Sequence, residues 1–208
     1  ASPATGINNL TSHAFNAGVT TVTYTVADGP GETASCSFNV TVTDNVLPTV
    51  TCVAHQDRFT DVTGPTYTVS GTEFDPDARD NCTIATLSND FNSMSTLDGA
   101  HFPMGTTDVV WTVTDNAGGT ASCSFSVTVT DNVIPVALCR NIPLLLDMNT
   151  GIASITVSDI DAGSYDNVGI ATMTISKSDF NCSDLGDNNV TLTVIDGSGN
   201  IGTCTSIV

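Results

Sequence analysis

The chain has 208 residues, with 22 acidic against 4 basic side chains, a formal charge of −18 and a hydrophobic fraction of 40%. Nucleic-acid binding rests on neutralising phosphates with Lys and Arg; with only Arg58, Arg79, Arg140 and Lys177 available, that class is excluded and cations are the expected partners. No apolar run approaches the roughly 20 residues of a membrane span, and the N-terminus lacks a signal peptide's basic start and apolar core, so the piece reads as soluble, either relieved of its signal or cut from something longer.

Thr, Val, Ser and Asp dominate and helix formers are few, which predicts an all-β protein. Residues 33–48 recur almost unchanged at 120–135, 87 residues later. That period is too long for a solenoid turn and suits one small β-sandwich. The chain therefore reads as three tandem immunoglobulin-like pieces: 1–47, 48–134 and 135–208.

Residues 1–47 hold only the second half of a repeat. Phe15, Gly18, Val22, Tyr24, Val26, Asp28 and Cys36 match Phe102, Gly105, Val109, Trp111, Val113, Asp115 and Cys123. Phe15, Val22, Tyr24, Val26, Phe38, Val40 and Val42 alternate as strands that expect an opposing sheet, and half a sandwich cannot be stable alone. The missing strands must come from residues upstream or from another chain. In the second case, strand addition propagates head to tail into a filament.

Residues 48–134 read as one complete unit. Strands are expected at 50–53 and 66–69, then an acidic loop at 73–81, a strand near 83–87, a loop at 93–99 and a turn at 102–107. Val109, Trp111 and Val113 share one face of the next strand, and the turn at 115–119 leads into a last strand on which Cys123, Phe125, Val127 and Val129 alternate. About seven strands with Gly and Asp turns is the count of an immunoglobulin-like sandwich. Trp111 is expected in the core, because Tyr24 and Leu192 hold its place elsewhere. Residues 135–208 keep this frame: Asp166-Asn167 answers Asp80-Asn81, Val190-Leu192-Val194 answers Val109-Trp111-Val113, and the turn from Asp196 to Asn200 answers that at Asp115. Cys139 and Cys204 match Cys52 and Cys123.

The run Phe102-Pro103-Met104-Gly105-Thr106-Thr107, Trp111-Thr112-Val113-Thr114-Asp115-Asn116-Ala117-Gly118 and Ala121-Ser122-Cys123-Ser124-Phe125 resembles the hyalin repeat, or HYR module, an immunoglobulin-like domain of extracellular adhesion and matrix proteins. The resemblance covers residues 1–134; residues 135–208 are similar to a sister repeat of bacterial gliding and surface adhesins. It implies extracellular structural and adhesive work rather than catalysis. The chain departs from the pattern at Gly119, where Asn is usual, and at Val168, where the sister repeat carries Cys.

In this topology the first strand, the loop between the second and third strands and the loop between the sixth and seventh lie at one end of the sandwich. Acidic residues sit at all three: Asp44, Asn45, Asp75, Asp77, Asp80, Asn81, Asp115 and Asn116 for the middle unit, and Asp131, Asn132, Asp159, Asp161, Asp166, Asn167 and Asp196 for the last. Gathered carboxylates repel unless a cation sits between them, and Ca²⁺ takes 6 to 8 oxygen ligands. Twenty of the 22 acidic residues are Asp, the shorter side chain that suits compact oxygen cages. Calcium is thus the expected cofactor, with turn formation the plainer reading of any single Asp.

Three cysteines per unit leave three pairings open. The resemblance, whose two-cysteine members keep the positions of Cys52 and Cys123, favours Cys52–Cys123 and Cys139–Cys204. Cys82 and Cys182 are then either buried free thiols or crosslinks between chains, and Cys36 lacks its partner. Sequons at Asn9, Asn39, Asn81, Asn181 and Asn189 and the expected disulfides point to an extracellular or cell-surface glycoprotein. His13, His55 and His101 are isolated and no nucleophile motif is present, so no enzyme is expected. The function expected is structural: a calcium-stiffened, disulfide-stapled fibre segment that self-associates or continues in a longer repeat chain. The alternative is an adhesin module that grips a glycan or receptor.

Overall fold

The structure, a computed structural model, describes residues 13–208. It is all-β, built of tandem immunoglobulin-like sandwich sheets, with strands β1 (Gly18–Ala27), β2 (Thr33–Val42), β3 (Thr49–Thr51), β4 (Gln56–Phe59), β5 (Thr66–Thr68), β6 (Asp77–Arg79), β7 (Ile84–Asn89), β8 (His101–Pro103), β9 (Gly105–Asp115) and β10 (Thr120–Thr130). After these come β11 (Ile152–Ser154), the one-turn helix α1 (Val157–Ile160), β12 (Ile170–Ile175), β13 (Asp179–Asn181), a 3₁₀ turn at Cys182–Asp184, β14 (Asn189–Asp196) and β15 (Ile201–Ile207). No helix among the described residues is long and apolar enough to cross a membrane.

The chain forms two compact units, one from residues up to 53 with 75–96 and 110–124, the other from 54–74, 97–109 and 125–208. In the first, β1 and β2 form an antiparallel hairpin from Gly18↔Val42 to Ala27↔Thr33. The Thr/Val composition of both strands suits a pleated surface, and Asp28 closes the turn by accepting the Gly31 and Glu32 amides at 2.9 Å. β3 pairs with β6, and β7 with the far half of β9. Trp111 and Val113 are fully buried, and the Cys52–Cys123 disulfide joins backbones 5.7 Å apart.

In the second unit β4 runs parallel to the end of β10, and β5 pairs with β8. Phe74 anchors a core in which its ring meets those of Phe102 and Phe125, each at 5.7 Å. Two further sheets follow, a pair β11-β13 and a three-stranded sheet of order β12-β14-β15. The latter buries Val190, Leu192 and Val194 against Ile155, Ile160 and Phe180, so the period-2 pattern of β14 faces the core. Cys139–Cys204 staples this part, and each such bridge stabilises by about 2–4 kcal/mol.

Three expectations are corrected. The acidic loop at 73–81 contains β6, whose charged Asp77-Ala78-Arg79 has no apolar alternation to betray it. The turn at 102–107 is really the end of β8 and the start of β9, broken only at Met104 and made possible by Gly105 at φ +97°. β4, Gln56-Asp57-Arg58-Phe59, was absent from the expected strands for the same reason as β6.

Candidate metal centres

Two groups of three aspartates converge. One oxygen from each of Asp44, Asp80 and Asp115 lies within 4.8 Å of the others, and the same holds for Asp131, Asp166 and Asp196. The local cause is a repeated turn. Each Asp spends one oxygen on the backbone amide two residues ahead: Asp44 on Val46 at 3.1 Å, Asp80 on Cys82 at 2.9 Å and Asp115 on Ala117 at 2.8 Å. The second group repeats this with Asp131 on Val133 at 3.0 Å, Asp166 on Val168 at 2.9 Å and Asp196 on Ser198 at 2.8 Å. Such turns pin the carboxylate plane and leave its other oxygen to face its neighbours.

Several of those oxygens are buried without a hydrogen-bond partner: Asp80 Oδ1 in the first group, Asp131 Oδ2 and Asp166 Oδ1 in the second, with Asn167 Oδ1 beside them in sequence. Orphaned buried acceptors are rare because each costs about 1–3 kcal/mol. At 4.8 Å a pair of like charges adds on the order of 3 kcal/mol of repulsion at an effective dielectric of about 20. A hard cation removes both penalties. The donor set is oxygen only, without His or Cys, which fits Ca²⁺ rather than Zn²⁺.

The neighbours tune the groups. The Val46 amide, and after it the Cys82 thiol, hold Asp44 below its ordinary pKa. At Asp196 burial works upward but is outweighed by hydrogen bonds from Asn200 and the Ser198 amide, and the net shift is downward. Hydrogen bonding to Asp44 pushes the Cys82 thiol up. Thr60 donates to Asp131 Oδ1 at 3.0 Å, and Asn167 Nδ2 reaches Thr60 and the carbonyls of Asp61 and Gly64 at 3.0–3.2 Å. Asn200 Nδ2 donates to Asp196 Oδ2 at 2.8 Å and to the Asp131 carbonyl at 3.3 Å.

The other expected ligands are engaged elsewhere. Asp75 accepts from Thr96 at 2.9 Å, Asp77 pairs with Arg79 at 2.8 Å, Asp159 caps α1 through Thr156, and Asp161 accepts from Ser164. Asn45 and Asn132 are exposed; Asn81 lies beside the first group, donating to Asp44 at 3.3 Å. A sequence signal separates the two sets: of the six converging aspartates only Asp196 is not followed by Asn, whereas none of Asp75, Asp77, Asp159 and Asp161 is. Asp187-Asn188 shares the dipeptide without joining a group. Nothing in the sequence marks Thr60, but Asn200 stands at the place of Gly119, where the pattern usually carries Asn.

Cys36, Cys82 and Cys182 are free and exposed, which corrects the buried-thiol alternative for Cys82 and Cys182. Asn39, Asn81, Asn181 and Asn189 are exposed, while Asn9 lies outside the described residues. Asn181 also caps the 3₁₀ turn. With two disulfides formed, the chain belongs in an oxidising setting, outside the cell or on its surface.

Residues 7–42 and 43–129 match the family model described as HYR domain. The chain belongs to the HYR domain family. A hyalin of Strongylocentrotus purpuratus is 32% identical to this HYR chain over 172 residues, which is 79% of the chain and 14% of the hyalin. A hyalin of Lytechinus variegatus is 31% identical over 198 residues, 92% of the chain and 36% of that protein. The HYR chain thus spans well under half of either relative. Among solved structures, a cis-dimer of protocadherin gammaB7 EC3-6 is similar at 16% identity and a TM-score of 0.36, covering 92% of this chain and 57% of that one.

Proposed function

We propose that this chain is a length of an extracellular, repeat-built structural protein with an adhesive role, in which Ca²⁺ stiffens the approach from one HYR module to the next. The modules are 1–47, 48–134 and 135–208, the last a sister repeat of the bacterial adhesin kind. Asp44, Asp80 and Asp115 hold one ion and Asp131, Asp166 and Asp196 another, with Asn167 as a further oxygen donor at the second. The chain does no catalysis; it carries load, continues in a longer array or associates with its neighbours into a filament, and bears glycans on exposed asparagines.

The observation that supports this most is Asp131 Oδ2, a carboxylate oxygen without a partner in a residue only 7% exposed whose carboxylate converges with two others. A buried charged oxygen without a partner costs the fold stability, and a bound cation removes that cost. Native mass spectrometry of the 208-residue chain tests the reading: two Ca²⁺ per chain are expected, falling to one in Asp131→Asn. A chain that retains no Ca²⁺ at millimolar concentration would refute it.

A further inference from the structure

In the complete repeat, β10 does two things at one register. Cys123 is bonded to Cys52, and four residues on Val127 pairs in parallel with Gln56, both with a separation of 71. The last repeat has a single matching contact: Cys139 bonds Cys204, and three residues on the Ile142 amide donates to the Ile207 carbonyl, both with a separation of 65. A first-strand segment therefore lies beside the last strand in both, with the disulfide first and backbone hydrogen bonding after it.

β2 is the counterpart of β10, 87 residues earlier, with Cys36, Phe38, Val40 and Val42 in the places of Cys123, Phe125, Val127 and Val129. Among the described residues β2 pairs only with β1. No described strand lies on its other edge, its cysteine is free and exposed, and the face that is core in β10 is less covered: Phe38 is 44% exposed against 6% for Phe125, and Val40 and Val42 are half-buried where Val127 and Val129 are buried. Tyr24, opposite Cys36, stacks on Phe38 at 6.2 Å and completes an apolar platform.

We propose that the open edge of β2 takes, in parallel, the first strand of another HYR-type half-module, whose cysteine closes a disulfide with Cys36. The inference rests on the HYR-array reading but not on calcium. Within these 208 residues the first-strand cysteines, Cys52 and Cys139, are already bonded and the free Cys82 and Cys182 lie in a loop and a 3₁₀ turn, so the strand comes from outside them. The closure is a thiol–disulfide exchange with a low-molecular-weight disulfide such as oxidised glutathione. The Cys36 thiolate attacks one glutathione sulfur and expels the other as thiolate; the incoming strand's thiolate then attacks Cys36 Sγ and expels the second. Two protein thiols lose two electrons and two protons, and one oxidant disulfide becomes two thiols.

The probe is a synthetic peptide with the sequence of residues 47–61, which carries Cys52, added to the 208-residue chain with both native disulfides intact, in glutathione redox buffer containing EDTA. Peptide mapping should find one peptide per chain on Cys36, at least tenfold in excess of Cys82 or Cys182 and of a scrambled peptide. Amides 40–43 should gain hydrogen-exchange protection, also in Cys36→Ser, which keeps the strand site but loses the covalent bond. Equal labelling of the three free cysteines, equal capture of the scrambled peptide, or Cys36–Cys36 dimers formed in preference would overturn the proposal. Because EDTA is present, failure here leaves the calcium reading standing, and failure of calcium binding leaves this one testable.

Discussion

The two acidic groups are built from the same three turns, yet they are not equally enclosed. In the second group Asp131 and Asp196 are both buried, Thr60 braces Asp131, and Asn200 clamps Asp196 to the Asp131 carbonyl. In the first only Asp115 is buried; Asp44 lines an open groove of about 720 Å³ with Gly18, Val42, Cys82 and Asn116, and Gly119 offers no side chain where Asn200 sits. The turn chemistry fixes which oxygens point inward, whereas neighbours outside the turns decide how firmly they are held. Preorganised ligands bind a cation with less ordering cost, so the second group should be the tighter site.

The largest effect that sharpens this contrast is expected from Asp131→Asn. With Ca²⁺ the variant should lose the tight site and melt about 5–10 °C lower, the range that corresponds to roughly 2–3 kcal/mol in a chain of this size. In chelator the sign should reverse, because one of three mutually repelling charges has gone, and a calorimeter reads both. Asn200→Gly makes the second group resemble the first, and its calcium affinity by titration calorimetry should fall about tenfold, the equivalent of about 1.4 kcal/mol. Thr60→Ala removes one hydrogen bond to a carboxylate, of about 1–1.5 kcal/mol. It should weaken the second site about fivefold and leave the first unchanged; an equal loss at both would show that the two are not independent. Acidity should matter least. Asp44 and Asp196 are held below the ordinary 3.8, so their ionised forms stabilise the fold above that pH, and this contribution is lost only as pH falls through the lowered values. Melting in Ca²⁺ should therefore hold steady between about pH 5 and 8.

The frame was legible in the sequence because it is written in backbone-level chemistry. The 87-residue repeat, the alternation of Val109, Trp111 and Val113 and the Asp-Gly turns each reflect a local rule, and the structure places all three residues in the core. β4 and β6 were not legible, since Gln56-Asp57-Arg58-Phe59 and Asp77-Ala78-Arg79 become strands only through their partners β10 and β3. The acidic groups were legible as loops but not as ligand sets. Asp75 and Asp159 differ from Asp80 and Asp166 only in lacking a following Asn, and their carboxylates accept instead from Thr96, 21 residues away, and from Thr156, three residues away. Thr60 contributes across 71 positions of chain, a separation no local pattern reports.

Thermal unfolding of the 208-residue chain at low ionic strength, in 1 mM Ca²⁺ and in EDTA, tests the central claim most directly. Two cations bridging Asp44, Asp80 and Asp115 on one side and Asp131, Asp166 and Asp196 on the other should raise the melting temperature by several degrees, with Mg²⁺ giving a smaller rise because it resists giving up its water. An identical melting temperature in Ca²⁺ and EDTA would contradict the account, since the three carboxylates of each group would then be shown to sit together without a cation between them.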